Sequence, residues 1–247
     1  MILNLLLVGL GGNGWTLMRK LMSWEHVRVA VIEPDKIESS NLPRLVGTTD
    51  RHVGFYKTEA FEAVFGYRFL KKIQSKVQDC TENFQDYQVV VACVDNNETR
   101  QYLAMAGLHF KVPLFDLGAG IVLRNGQIVF KGGQIRIQLP GEECLFCLGL
   151  PLPISDRKKA LCRAAGYLET EDPQEEIHWN RGEEILAINE ALVELALPEI
   201  LTYLDKGTVS SKYIRLDLIQ NQREFIQTTV VPNCICQVEK QNKVYIS

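Results

Sequence analysis

The sequence predicts an α/β fold: a Rossmann-like, mainly parallel sheet with helices on both faces, continued by antiparallel hairpins in the second half. Three observations predict it. Strand-length apolar runs alternate with helical patterns through residues 1–120, as expected of a parallel sheet with crossover helices. The run Gln88–Val94 is almost wholly apolar, which suits a central strand buried on both faces. After Gly118-Ala119-Gly120 the pattern changes to alternating faces separated by glycine-containing turns, the pattern of hairpins.

Taken in order, Leu3–Gly9 reads as the first strand and Trp15–Met22 as the helix after it. Between them, Gly9, Gly11 and Gly14 fill G-x-G-x-x-G, a fingerprint of nucleotide-binding strand–turn–helix units. Such a turn must be tight, must let backbone approach a phosphate, and must let the helix pack close to the strand. The helix start then offers N–H groups and a partial positive charge to an anion. Val27–Ile32 reads as a second strand, ending in Glu33-Pro34-Asp35. This is about twenty residues on, where a carboxylate accepts hydrogen bonds from ribose hydroxyls. An inert buried strand with a flexible turn is the plainer alternative.

Lys57–Phe65 and Glu98–Leu108 read as helices, and Gln88–Val94, Val112–Leu117 and Lys76–Cys80 as strands. Gly126–Phe130 and Gln134–Leu139 flank Lys131-Gly132-Gly133 and read as a hairpin turning at the glycines. Pro151–Arg181 is charged and loop-rich. Glu184–Leu204 carries Ile185, Ile188, Leu192 and Leu195 at helical spacing, a core-facing stripe interrupted by Pro198. Tyr213–Ile219 and Glu224–Val231 read as a second hairpin, and the tail Gln237–Ser247 is polar. The expectation is one domain over 1–247, with a nucleotide-binding half at 1–120 and a hairpin half at 121–247 that carries the charged loop 151–181.

Composition narrows the classes. The net charge is −3 and the pI about 5.9, so no basic face points to nucleic acid. Met1–Leu10 is apolar but has neither a basic leader nor a small-residue cleavage site, and reads as a buried strand. No apolar run reaches the ~20 residues of a membrane span. A cytoplasmic protein is expected. Among seven cysteines, paired ones in a reducing compartment point to metal or redox chemistry before disulfides.

Past Asp35 the chain continues Lys36-Ile-Glu-Ser-Ser-Asn-Leu-Pro-Arg44. Together with Gly9–Gly14, Glu33-Pro34-Asp35, Gly54-Phe-Tyr-Lys57-Thr-Glu-Ala60, Val91-Ala-Cys-Val-Asp95-Asn-Asn-Glu-Thr-Arg100 and the Gly133–Cys147 stretch, it resembles the ThiF/MoeB/HesA group, bacterial relatives of ubiquitin-activating enzymes. The resemblance runs in register over almost the whole chain. It implies ATP-dependent, magnesium-assisted adenylation of a C-terminal carboxylate, usually the Gly-Gly end of a small ubiquitin-like protein, by a homodimer.

Residue by residue, the resemblance assigns Gly9, Gly11, Gly12, Asn13 and Gly14 to the nucleotide, with Gly11, Gly12 and Gly14 letting amides approach the phosphates. Asp35, with Glu33, would hold the ribose, and Asn41 and Arg44 the phosphates; arginine's planar fork suits that task. Lys57 would supply a point charge. Asp95, at the carboxyl end of a buried strand where ligands sit in open sheets, would hold magnesium through oxygen. Its alternative is an N-cap for the following helix. Arg100 reads equally as helix surface, salt bridge or site.

Cys144-Leu-Phe-Cys147 has the spacing of half a tetrahedral zinc site. The resemblance supplies the second half, Cys234-Ile-Cys236, although C-x-C replaces the family's C-x-x-C. A closed four-thiolate site would be structural; buried, inert thiols are the alternative, and Cys80 and Cys93 read as core. Cys162, among Arg157, Lys158, Lys159 and Arg163, sits where some members place an acyl- or sulfur-accepting cysteine, and nearby cations favour its thiolate. The family's arginine from a helix before the first strand has no visible counterpart here; Arg19 and Arg51 are candidate stand-ins between which the sequence does not choose. Leu45 stands where the family often has glutamine. Three other readings compete: a nicotinamide dehydrogenase, a non-catalytic nucleotide-binding scaffold for a ubiquitin-like partner, and an enzyme adenylating a tRNA base or small carboxylate. The first leaves Ser40–Arg44, Lys57 and the cysteine pairs unexplained.

Overall fold

A computed structural model describes residues 2–151, 175–178 and 182–237. The strands are β1 (Leu3–Val8), β2 (Val27–Ile32), β3 (Lys71–Ile73), β4 (Val89–Ala92), β5 (Leu114–Arg124), β6 (Gln127–Gln138), β7 (Glu175–His178), β8 (Tyr213–Asp217) and β9 (Gln222–Phe225). The helices are α1 (Gly12–Leu21), α2 (Lys57–Phe65), α3 (Asn97–Phe110) and α4 (Gly182–Lys206). One sheet runs β3-β2-β1-β4-β5-β6-β8-β9, with β7 paired to the far half of β5. The pairs from β3 to β5 are parallel and those beyond are antiparallel, so the expected α/β architecture is the observed one.

Strand alternation feeds two cores. Leu5 and Leu7 of β1, Val29 and Val31 of β2 and Val89 and Val91 of β4 share one core with Trp15, Phe61 and Leu192 from three helices. Leu6, Val8, Ala30, Ile32, Val90 and Ala92 face the other, with Leu103 and Ala104 of α3 and the segment Cys144–Leu148. Trp15 is fully buried and meets Phe61 edge-on at 4.9 Å between centroids. A sheet buried on both faces explains why these strands read as unbroken apolar runs.

Several elements differ from the expectation; β5 runs on through Gly118-Ala119-Gly120 to Arg124, and β7 is a strand within the stretch read as loop. Lys76–Cys80 is no strand: Val77–Asp79 forms a 3-10 turn, and the edge strand is Lys71–Ile73. The first hairpin turns at Asn125-Gly126, both in left-handed conformation (φ 52° and 76°), while β6 passes straight through Gly132 and Gly133. Those glycines answer crowding. A Cβ on Gly132 would lie 1.9 Å from the Leu216 carbonyl oxygen, and one on Gly133 2.6 Å from that of Gly118. α4 continues through Pro198, which is exposed, as is Glu194 one turn earlier, so water can take the carbonyl that proline leaves unpaired. The last hairpin partner is Gln222–Phe225, earlier than Glu224–Val231.

Candidate functional site

A cavity of about 890 Å³ opens at the carboxyl ends of β1, β2 and β4. It lies where the chain leaves β1 for β2 and β3 on one side and returns as β4 and β5 on the other, the crevice in which open α/β sheets bind ligands.

β1 delivers the glycine loop. Gly9 has φ +91°, and a Cβ there would lie 2.6 Å from the Cys93 carbonyl oxygen, so only glycine lets β1 and β4 close here. Gly11 has nothing within 4 Å of its would-be Cβ and faces the cavity. A Cβ on Gly14 would come 2.1 Å from the Gly9 carbonyl oxygen; Gly14 packs beneath the loop and is not among the residues lining the cavity. Its missing Cβ lets the start of α1 pack against the end of β1. Helix α1 has no side-chain N-cap, which leaves its first N–H groups to a ligand. Asn13 lines the cavity and its Nδ2 donates to the Leu117 carbonyl at 3.5 Å.

β2 ends in the acid pair. Glu33 is buried. It accepts the Leu10 N–H at 2.5 Å and the Asp35 N–H at 2.9 Å, so it braces the glycine loop. Burial pushes its carboxyl above the ordinary value, against the Lys57 ammonium and these two N–H bonds. Lys57 opens α2, is itself buried, and donates to Asp35 Oδ2 at 2.8 Å and Glu33 Oε1 at 3.3 Å. The Asp35 carboxylate is 65% exposed.

The 3-10 helix Ser39–Arg44 carries the next pair. Asn41 is buried and accepts the Glu38 N–H through Oδ1 at 3.4 Å. Arg44 donates to the Ser40 carbonyl at 3.1 Å. Burial draws its pKa down while Asp95 and Glu38 draw it up, and a guanidinium stays charged through such shifts.

Asp95 follows β4 and lines the cavity, exposed. The helix cap is its neighbour: Asn96 Oδ1 accepts the Thr99 N–H at 2.8 Å. The capping alternative for Asp95 is therefore removed. Behind this wall Arg100 donates to Asp116 at 2.9 Å and to the Val94 carbonyl at 2.6 Å. Arg136 holds the other Asp116 oxygen. Burial would raise Asp116, but the Arg136 and Arg100 guanidiniums hold it below the usual carboxylate value. Arg100 is thus a buried ion-pair residue at the cavity floor.

The four paired cysteines meet on the other core. Cys144 and Cys147 sulfurs are 3.8 Å apart, Cys144 and Cys234 3.4 Å, Cys147 and Cys236 3.7 Å, and all four lie within 4.8 Å of one another. Thiolates about 2.3 Å from a tetrahedral zinc stand about 3.8 Å apart, so the set fits that ion. Gln138 ties this knuckle to the sheet, accepting the Leu145 N–H at 2.9 Å and donating to the Ala104 carbonyl at 3.0 Å.

Cys93 is buried, with its thiol pushed up by burial and by Asp116, which suits an inert core position. Cys162 lies outside the described residues. Arg19 pairs with Glu190 at 2.8 Å, and Arg51 is exposed in a 3-10 turn. Leu45 is fully buried in the first core. Sequence reasoning missed Ile185 and Asn189 of α4 and Lys76, Gln78 and Asp79, all lining the cavity. The one signal for Asn189 was a polar residue beside an apolar stripe.

Comparison with known proteins agrees. The molybdopterin-synthase adenylyltransferase of Haemophilus influenzae is 30% identical over 133 residues, 51% of this chain and 54% of that protein. The adenylyltransferase and sulfurtransferase uba4 of Neosartorya fischeri is 26% identical over 167 residues, 67% of this chain and 33% of that protein. SUMO-activating enzyme subunit 2 of Dictyostelium discoideum is 26% identical over 157 residues, 61% and 22%. The chain thus spans between about a fifth and a half of these relatives. In fold it is similar to E. coli MccB with MccA-N7isoASN, at TM-score 0.66 and 15% identity, covering 95% of this chain and 67% of that one. A family model described as the ThiF family matches residues 3–238, and with the glycine loop, acid pair and cysteine knuckle in place, the chain belongs to the ThiF family.

Proposed function

We propose that this chain is an ATP-dependent adenylyltransferase that activates the C-terminal carboxylate of a small ubiquitin-like protein or peptide. One observation carries the reading. The glycine loop, Glu33 with Asp35, Asn41 with Arg44, Lys57 and Asp95 come from five separate stretches and line one cavity. Relatives named as adenylyltransferases and activating-enzyme subunits support it, as does a solved MccB structure of similar fold determined with ATP.

The loop amides at the start of α1 receive phosphate oxygens. Asp35 accepts from ribose hydroxyls. Attack by the acyl carboxylate forms a C–O–P linkage as the bond to pyrophosphate breaks. Charge grows on the phosphoryl oxygens and the leaving group, and Arg44 and Lys57 stabilise it there from fixed positions. Asp95 would hold magnesium, which when bound neutralises phosphate charge. Cys144, Cys147, Cys234 and Cys236 would hold a structural zinc. The reading extends to a Gly-Gly-ended partner, a homodimer, a cytoplasmic setting, one domain over 1–247 and Cys162 as an acyl acceptor, on the family likeness alone.

The test is intact-mass detection of an AMP adduct on small proteins ending in Gly-Gly after incubation with ATP–Mg and this protein. An adduct on at least one of them, lost on blocking the C-terminus, is the expected result. ATP binding with no adduct on any would favour a scaffold.

A further inference from the structure

Helix α4 brings to the cavity a side chain that the glycine-loop reading does not use. Asn189 is 2% exposed, lines the cavity, and its Nδ2 has no hydrogen-bond partner. Ile185, one helical turn earlier, lines the same wall, so this face of α4 is turned toward the cavity. A Cβ built on Gly12 would stand 2.1 Å from Asn189 Nδ2. The amide therefore packs against the first residue of α1, where a side chain would otherwise be.

That position is chemically specific. α1 has no side-chain N-cap, so its leading N–H groups are left for a ligand close to the Asn189 amide. Two kinds of donor thus line one cavity, one from the backbone at the helix start and one from a buried side chain. Buried polar groups are ordinarily paired. An anionic oxygen would accept from both and would also meet the positive end of the helix.

We propose that Asn189 is a nucleotide-positioning residue that donates through Nδ2 to a phosphate oxygen held at the N-terminus of α1. The inference rests on the nucleotide reading above. It also explains Gly12: any side chain there would occupy the space of the Asn189 amide. A neutral amide adds a directed donor without adding charge to a wall that already carries Lys57 and Arg44.

The test is calorimetric titration of the intact protein with ATP–Mg and, separately, with adenosine. Asn189→Ala is expected to weaken ATP–Mg about tenfold, the scale of one hydrogen bond to a charged group. Asn189→Asp should weaken it further, because a carboxylate would face the phosphate. Adenosine, which has no phosphate, should bind all forms alike. Asn189→Ser, smaller but still polar, is made alongside, and thermal melting identifies variants that keep the wild-type fold. A merely loosened site would lose both ligands in parallel. ATP–Mg affinities within twofold of wild type in the folded variants, or parallel losses for both ligands, would overturn the assignment. If the wild-type protein bound neither ligand, the nucleotide reading itself would fall, and this assignment with it.

Discussion

Lys57 Nζ stands 2.8 Å from Asp35 Oδ2, so the residues read as phosphate and ribose ligands are paired with each other across the cavity mouth. Asp35 is largely exposed, and such pairs add little to stability. Nucleotide binding would therefore free Asp35 for the ribose at small cost, while Glu33 keeps Lys57 in place. Asp35→Ala is expected to leave the melting temperature within about 2 °C of wild type and to weaken ATP about tenfold, as loss of a charge-assisted hydrogen bond does. Lys57→Ala should behave differently. It leaves Glu33 buried without its cation, so it should destabilise by about 1–3 kcal/mol as well as remove activity. Denaturant titration of the two variants separates them.

Gly11 and Gly14 share a residue type and should fail in opposite ways. Gly14→Ala drives a Cβ to 2.1 Å from the Gly9 carbonyl oxygen, and overpacking of that kind costs about 1–3 kcal/mol. Gly11→Ala meets nothing within 4 Å; it should keep its stability while narrowing the approach to phosphate. Thermal melts with and without ATP–Mg check both.

Asp95→Ala should reduce adenylate formation at least ~100-fold, consistent with removing a metal-held electrostatic contribution. The fold should persist, because Asn96 and not Asp95 caps α3. A normal adenylation rate in this variant would refute the magnesium assignment.

Asp116 lies fully buried between Arg100 and Arg136. Removing one partner of such a cluster is expected to destabilise by about 3–5 kcal/mol, so Asp116→Asn should lower the denaturant midpoint strongly. The pH dependence follows in sign. The folded carboxyl lies below its unfolded value of about 3.8, so its contribution is complete above that pH and is lost as pH falls below it. The stability difference between wild type and Asp116→Asn should shrink steadily under acid from about pH 4 downward.

Elemental analysis should find about one zinc per chain. Chelation, or Cys236→Ser, should lower the melting temperature and loosen the segment that Gln138 ties to α3. A chain that melts identically with and without chelator would return the four cysteines to plain core packing.

Much of this was legible in the sequence because its signals are local. The glycine loop, Glu33-Pro34-Asp35 and the apolar strands each lie within ten residues. Gly132-Gly133 misled because glycine marks both turns and close backbone approach, and only the neighbouring β8 strand reveals which applies. Pro198 misled because an exposed proline in a long, well-packed helix can be tolerated. Asn189 reads in sequence only as a polar residue beside an apolar stripe, because α4 is far from the loop along the chain and nothing local says that it packs on α1. The Asp116 cluster was hidden likewise, since its two arginines come from α3 and β6.

The proposed reaction is carboxylate adenylation in the cavity above β1, β2 and β4. ATP–pyrophosphate exchange, with magnesium and a panel of small proteins ending in Gly-Gly, tests it most directly. Exchange that depends on both the acyl partner and magnesium, and that disappears in Asp95→Ala, is the predicted result. Absence of exchange with every partner, from a protein shown to bind ATP–Mg, would contradict it.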